Sequence, residues 1–332
     1  MAFDINTPKE IQSLMNLIDT YRRWTHYQER GDREYNFYHP SEIGKCLRKQ
    51  QYYHYGYLGL LNLKQKEFDS RILRLFDKGH NMHKRWISYF EDCGILRGRW
   101  ECKNSYCCFF DEKGEYINKK ISYEDRKSRI YGEENSQGIF KPDKCLCGCK
   151  EFEYLETPVF SEKLNIKGRA DAIIDCSNLL IDRFKEVRST YNLELLPRNG
   201  EIAVGDMKTI GSRAWDYQLL NRGPHKEYLI QLNCYAFILD CSYGILMYEN
   251  KDNSEIRWYR VEKNEKWWEI IKWQVTTMKE MVEERKLPPP KPEKKDCYEC
   301  KSCDCKAICH KSKIWNDNSL KEKRVGFYKD LL

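Results

Sequence analysis

No stretch of this 332-residue chain approaches the roughly 20 consecutive apolar residues that a membrane-spanning helix requires. Residues 1–24 lack the basic segment, apolar core and small-residue cleavage site of a secretory signal. The expectation is a soluble, cytoplasmic protein with no membrane partner. The pattern GxxxxGK(S/T) is missing too, so the chain carries no phosphate-cradling loop of a helicase motor. There is no internal repeat. Neither charge dominates: 58 Lys and Arg face 51 Asp and Glu, a net +7 that tilts the partner class only mildly toward polyanions.

Aromatic side chains are plentiful, with 23 Tyr and 9 Trp offering stacking surface that single-stranded nucleic acid can use. Cysteine is the anomaly. Sixteen thiols in a reducing compartment point to metal ligation rather than disulfides, and their clustering strengthens that reading.

Helical spacing of Ile11, Leu14, Leu17, Ile18 and Tyr21 behind a Thr-Pro start predicts a helix over 8–30. "SEIGKCLRKQQYYHYG" predicts a second helix with Ser41 as N-cap, and a third is expected over 67–92. From 98 to 153 the pattern gives way to a polar, Gly- and Cys-bearing stretch that reads as an inserted module. Alternation returns in "YLETPVF", "LNIKGRADAIID" and "EIAVGDMKT", three strands in succession. The stretch 176–200 has no readable pattern. "EYLIQLNCYAFILD" reads as a buried helix, "YGILMYEN" and "EIRWYRVE" as strands, and 264–286 as an amphipathic helix. A stiff linker, "LPPPKPEKK", leads to "DCYECKSCDCKAICH". The chain divides accordingly into a helical part (1–97), the insert (98–153), an α/β core (154–287) and a cysteine-rich tail (288–332).

In a strand, residues i and i+2 share a face, so Asp206 and Lys208 of "GDMK" project together while Met207 points away. Alone, such a pair is an exposed ion pair of little consequence. Three further stretches accompany it. "KGHNMH" places His83 four residues after Gly79 on a helix, "GRAD" sets Asp171 at a strand end, and "QLNCY" puts Gln231 and Tyr235 one helical turn apart. In this order the four stretches resemble the RecB-like branch of the PD-(D/E)xK superfamily of nucleases, over most of residues 40–310. The resemblance implies an α/β fold with a restriction-endonuclease-like core, a mixed central sheet flanked by helices.

It also implies roles. Asp171, Asp206 and the Met207 carbonyl would hold Mg2+, hard-oxygen donors being what that ion prefers. His83 matches the family's Gly-x-x-x-His spacing as a further ligand, with His80 as competitor, and an imidazole makes the site friendlier to Mn2+. Lys208 would orient the attacking water and stabilise developing charge. Gln231 and Tyr235 would contact the DNA backbone. Glu156 is either a second-metal or water ligand or an ordinary strand-end glutamate.

The C-terminal run supplies Cys297, Cys300, Cys303, Cys305 and Cys309. Cys300-x2-Cys303-x5-Cys309, with Cys46 far upstream, resembles the four-cysteine [4Fe–4S] clasp of AddB-type and CRISPR-adaptation nucleases. Four thiolates suit Zn2+ equally, and a local zinc knuckle drawn from the five C-terminal cysteines is the alternative. The insert holds "WECKNSYCC" and "PDKCLCGCKEFEY", paired knuckles that look like a zinc ribbon with Cys102, Cys107, Cys145 and Cys147 as ligands. Cys108 and Cys149 compete, since neither half has Cys-x2-Cys spacing. Cys93, Cys176, Cys234 and Cys241 are expected in the core.

The expected activity is a metal-dependent deoxyribonuclease, an exonuclease because the resembled branch mostly processes ends, working in recombination or repair with DNA and a helicase or other partner. Alternatives are a nuclease for CRISPR spacer processing, a catalytically silent DNA-binding scaffold, or a redox protein built on the cluster.

Overall fold

All eight residues of "YGILMYEN" are buried, the pattern of a strand covered on both faces. In the computed structural model this run is β9 (Tyr243–Asn250), an inner strand of the main sheet, one in from its edge. The structure describes residues 9–29, 34–61, 63, 68–104, 129–178, 197, 200–288, 298–301 and 303–311. β8 (Ala203–Ile210) runs parallel to β9, with Asp206 beside Leu246 and Lys208 beside Tyr248. Parallel neighbours need a crossover, and the helix α5 (Lys226–Ile238) supplies it. β10 (Ile256–Glu262) forms an antiparallel hairpin with β9.

On the other side of β8 lie β7 (Ala172–Ile174) and then β1 (Leu96–Cys102), both antiparallel to their neighbours. β1 also collects β2 (Ile130–Tyr131), β3 (Ile139–Phe140) and β4 (Phe152–Leu155). The result is a mixed sheet ordered β10-β9-β8-β7-β1-β2 with β3 and β4 on β1. β1 runs across residues 97 and 98, so hydrogen bonds join the cysteine-bearing stretch directly to the main sheet.

Strand alternation sends side chains to two cores. Met207, Tyr243, Ile245 and Met247 pack with Met82 and Phe90 of α4 (Ser70–Asp92), whose Asp69 N-cap accepts from the Ile72 amide. Val204, Leu246 and Tyr248 pack with Leu232 and Tyr235 of α5 on the opposite face. α6 (Glu265–Glu283) covers α5 through Ile271, Val275 and Met278, which meet Ile230 and Cys234. Among the described residues no helix is long and apolar enough to cross a membrane.

Two expected elements are each split. The strand expected over 164–175 is β6 (Ile166–Ala170), paired with β5 (Thr157–Ser161) in a separate two-stranded sheet, and then β7 in the main sheet. Asp171 sits at the switch between sheets. The helix expected from Ser41 is α2 (Pro40–Ile43), with His39 at the N-cap position, then α3 (Leu47–Tyr57), with Cys46 there, and neither side chain makes a capping hydrogen bond. They break at Gly44, where a Cβ would lie 2.8 Å from the Glu227 Cα. That close approach of α5 admits only glycine.

α1 (Lys9–Glu29) lies on α4 through the Arg22–Asp77 and Arg74–Asp19 ion pairs, with Thr25 buried between them. Leu14, Leu17, Ile18 and Tyr21 of its apolar stripe face solvent. α3 is fixed to the end of α6: the Tyr55 hydroxyl donates to the Met281 carbonyl at 3.0 Å and the Gln51 amide to that of Met278 at 3.2 Å.

Candidate functional site

The β7–β8 register pairs Ala172 with Gly205, which sets Asp171 level with Asp206. The Asp171 carboxylate accepts from the Met207 amide at 2.8 Å. From α4, His83 Nε2 lies 2.9 Å from the Met207 carbonyl and Nδ1 lies 3.7 Å from Asp171 Oδ2. A carbonyl only accepts, so Nε2 carries the proton in this arrangement and Nδ1 presents its lone pair toward a carboxylate. Glu156, between β4 and β5, joins them: one donor atom each from His83, Glu156 and Asp171 fall within 4.8 Å of one another. His80, the competing histidine, is exposed on α4 beside Asp77.

Asp206 and Lys208 leave the same face of β8, as strand geometry requires. Asp206 is 1% exposed, and its Oδ1 accepts from Lys208 Nζ at 2.8 Å and from Gln231 Nε2 at 3.0 Å. Lys208 Nζ is also 2.8 Å from Oδ2, but off the hydrogen-bonding direction, so Oδ2 is buried without a hydrogen-bond donor. Burial pushes Asp206 up to about 6 against the pull of Lys208. Burial likewise raises Asp171, opposed by His83 and Lys208. For Lys208, burial favours the neutral amine, yet the two aspartates outweigh it and raise its pKa. The Tyr228 ring sits 4.9 Å from Nζ and limits where the ammonium can go.

Gln231 and Tyr235 do not decorate a surface. Both are buried, Gln231 Nε2 also donates to the Tyr235 hydroxyl at 3.0 Å, and burial holds that phenol well above its ordinary range. They form a rear support for Asp206. The donor set suits a hard divalent cation: two acceptors facing each other across 3.7 Å, a third carboxylate beside them, and a buried Asp206 oxygen with no donor. The sequence left Glu156 between a second-metal or water ligand and an ordinary strand-end glutamate, because its isolated position carries no motif; the fold brings it to His83 and Asp171.

A second group lies at the far end of β1. Thiols of Cys102, Cys145 and Cys147 fall within 4.8 Å of one another, with the Cys102 and Cys147 sulfurs 3.7 Å apart. The turn that presents them closes through Gly148 N donating to the Cys145 carbonyl at 2.8 Å, with Gly148 in the left-handed region at φ 86°. Burial raises the Cys145 thiol, but hydrogen bonds, led by that of the Tyr131 hydroxyl at 3.2 Å, bring it down overall. The Cys149 sulfur instead meets the Glu151 amide at 3.4 Å. Cys107 and Cys108 lie outside the described residues. The three thiols form a site that can hold a metal.

Near the chain's end, Cys305 is buried in a cluster with Tyr52 and Tyr55 of α3, and Cys303 and Cys309 pack against it. The Tyr53 hydroxyl donates to Asp304 at 2.6 Å. A hydrogen bond with Cys305 holds Cys303 down to about 6, assisted by the Lys49 ammonium, while the same contact and burial push Cys305 up. Lys49 is three residues from Cys46, so the cysteine-rich segment and the α3 N-terminus are neighbours. Cys297 lies outside the described residues. Cys234 and Cys241 are in the core; Cys93 and Cys176 are half-buried at its edge.

No family model matches the chain, and no curated protein does either. Among solved structures, the chain is similar to SSO0001 with a TM-score of 0.41 and 16% identity, over 90% of this chain and 96% of that one. It is similar also to the alkaline exonuclease LHK-Exo from Laribacter hongkongensis, with a TM-score of 0.29 and 9% identity over 39% of this chain and 56% of that one.

Proposed function

We propose that this chain is a Mg2+- or Mn2+-dependent deoxyribonuclease of the PD-(D/E)xK type, related to its RecB-like branch. The observation that carries the reading is the convergence of Asp171, Asp206, Lys208 and His83 on one point of the sheet, from three elements distant in sequence. A divalent ion, when bound, supplies Lewis-acid activation of the scissile phosphate and lowers the pKa of the attacking water. His83 Nδ1, Asp171 and Asp206 Oδ2 would hold it, with the Met207 carbonyl adjacent and Glu156 at its outer side. Lys208 Nζ offers a positive charge to the negative charge that develops on the phosphate in the transition state. Gln231, braced by Tyr235, holds Asp206 Oδ1, which would leave Oδ2 for the cation.

Exonuclease action on DNA ends in recombination or repair is the finer reading, with a helicase or a CRISPR-adaptation protein as partner classes. Cys46, Cys300, Cys303 and Cys309 would carry a [4Fe–4S] cluster. Cys102, Cys145 and Cys147 would hold Zn2+ with Cys107 or Cys108 as fourth ligand; Cys149 is turned to Glu151. Cys145→Ser is expected to remove about one zinc per chain by metal analysis while leaving iron unchanged. Zinc retained in that variant would overturn the ligand set.

End-labelled single- and double-stranded DNA should be shortened from an end with Mg2+ or Mn2+, and left whole with EDTA. Cleavage that persists in EDTA would refute the metal-dependent mechanism.

The Asp206 carboxyl gives the reading a pH signature. Its folded pKa of about 6 lies above the ordinary carboxyl value, so its contribution to stability is present in acid and is lost as pH rises through about 6. A cation replaces the proton there. Melting temperature of metal-free protein should therefore fall from pH 5 to pH 7, and the rise produced by Mn2+ should grow over the same interval. Asp206→Asn should flatten both trends; a Mn2+ response independent of pH would remove Asp206 from the ligand set.

A further inference from the structure

The nuclease reading leaves the outward face of α1 unexplained. Leu14 (55% exposed), Leu17 (66%), Ile18 (46%), Tyr21 (63%) and Trp24 (59%) all lie in solvent. Their spacing of i, i+3, i+4, i+7 and i+10 puts them on one stripe of a helix. α1 meets α4 through Asp19 and Arg22, to one side of this stripe, and Thr25, four residues beyond Tyr21, is buried at the stripe's edge. Together the five side chains leave on the order of 600 Å2 of apolar surface in water, the top of the range for the largest patch on a soluble monomer, and such patches are often functional. An apolar face of this kind marks an interface.

We infer that α1 is a homodimerisation helix, and that its occupant is α1 of a second copy, packed antiparallel across a two-fold axis. The sequence of the stripe carries the choice. Positions 14, 17, 21 and 24 are symmetric about residue 19, so an antiparallel partner sets Leu14 of one copy against Trp24 of the other and Leu17 against Tyr21. Each level then matches a branched aliphatic with a large aromatic. A two-fold interface must be complementary to itself, and this stripe is. The same positions are a and d of two heptads, the seam along which helices interlock. Paired in this way, two copies bury about 1,200 Å2 in total, the lower bound for a specific, stable interface. The flanking e and g positions, Ser13, Ile18, Thr20 and Thr25, carry no charge, so nothing in the seam repels an identical chain.

Light scattering on the full chain tests this. The unaltered protein should have twice the chain mass of 40.0 kDa at micromolar concentration. Leu17→Lys and Tyr21→Glu, each made at an exposed position, should both be monomeric with unchanged circular dichroism and unchanged nuclease activity. Mixed one to one, the two variants should again form dimers, because antiparallel packing alone brings Lys at 17 of one copy against Glu at 21 of the other. A monomer at all concentrations would overturn the inference. So would dimers that survive both substitutions, a mixture that stays monomeric, or recovery of the unaltered chain on anionic phospholipid vesicles instead of with itself. Loss of DNA cleavage leaves the mass measurement untouched, so the dimer and the nuclease readings fail separately.

Discussion

Asp206→Asn is expected to lower the rate of DNA cleavage by about 1,000-fold or more while leaving melting temperature, DNA binding and iron content close to those of the unaltered protein. The substitution keeps the shape and lets the amide oxygen accept from Lys208 and Gln231, as Asp206 Oδ1 does. What it removes is the anionic character of Oδ2, a buried oxygen that has the Lys208 ammonium 2.8 Å away but no directed hydrogen bond. That oxygen lies in a buried place where an ionised carboxylate is costly, and under the proposed function it is a ligand of the cation. Lys208→Met should cost about 100- to 1,000-fold, the size seen when a single charge-stabilising donor is lost from a transition state. Because both act on one event, the double variant should be scarcely slower than the worse single one. Single-turnover cleavage of labelled DNA at saturating enzyme reads all three variants. Turnover by Asp206→Asn within tenfold of the unaltered enzyme would dismiss the assignment.

The parts of this arrangement that were legible in the sequence are those fixed by short-range periodicity. β8 and β9 read as strands because their apolar runs are covered on both faces, and Asp206 with Lys208 shared a face because a strand alternates. α5 read as a buried helix for the same reason. What escaped depends on distant neighbours. The exchange of sheets at Asp171 has no local signal, since β6 and β7 together alternate like one strand; only their different partners, β5 and β8, divide them. The break at Gly44 comes from the backbone of α5, almost two hundred residues away. α1 shows the converse case. Its periodicity correctly gave a helix with one apolar face, but periodicity does not say what that face meets, and here it meets solvent. Gln231 and Tyr235 were found by spacing, yet the burial that makes them supports for Asp206 is a property of the sheet beneath them.

Cys303→Ser is expected to give colourless protein with a melting temperature lower by several degrees and with protease cleavage at both ends of the chain. The proposed cluster would join Cys46, at the start of α3, to Cys300, Cys303 and Cys309, closing a loop of about 250 residues. In the chain-entropy view a cross-link of that span stabilises by on the order of 5 kcal/mol. Tyr53 holds Asp304, the Tyr52 and Tyr55 rings enclose Cys305, and Cys303, held down to about 6, is poised as a thiolate, the form in which cysteine ligates metal. None of these residues reaches Asp171, Asp206 or Lys208, so loss of the cluster should act through unfolding. α3 also carries the hydrogen bonds from Gln51 and Tyr55 to the end of α6, and α6 packs on α5, which bears Gln231. Slackening at α3 would therefore spread to the support of Asp206. Cys303→Ser should lose activity in proportion to the fraction unfolded, whereas Asp206→Asn should stay brown, folded and inactive. Unaltered protein should contain about four iron atoms and one zinc. Two zinc atoms and no iron, or full stability in Cys46→Ser, would instead assign the C-terminal cysteines to a local zinc knuckle.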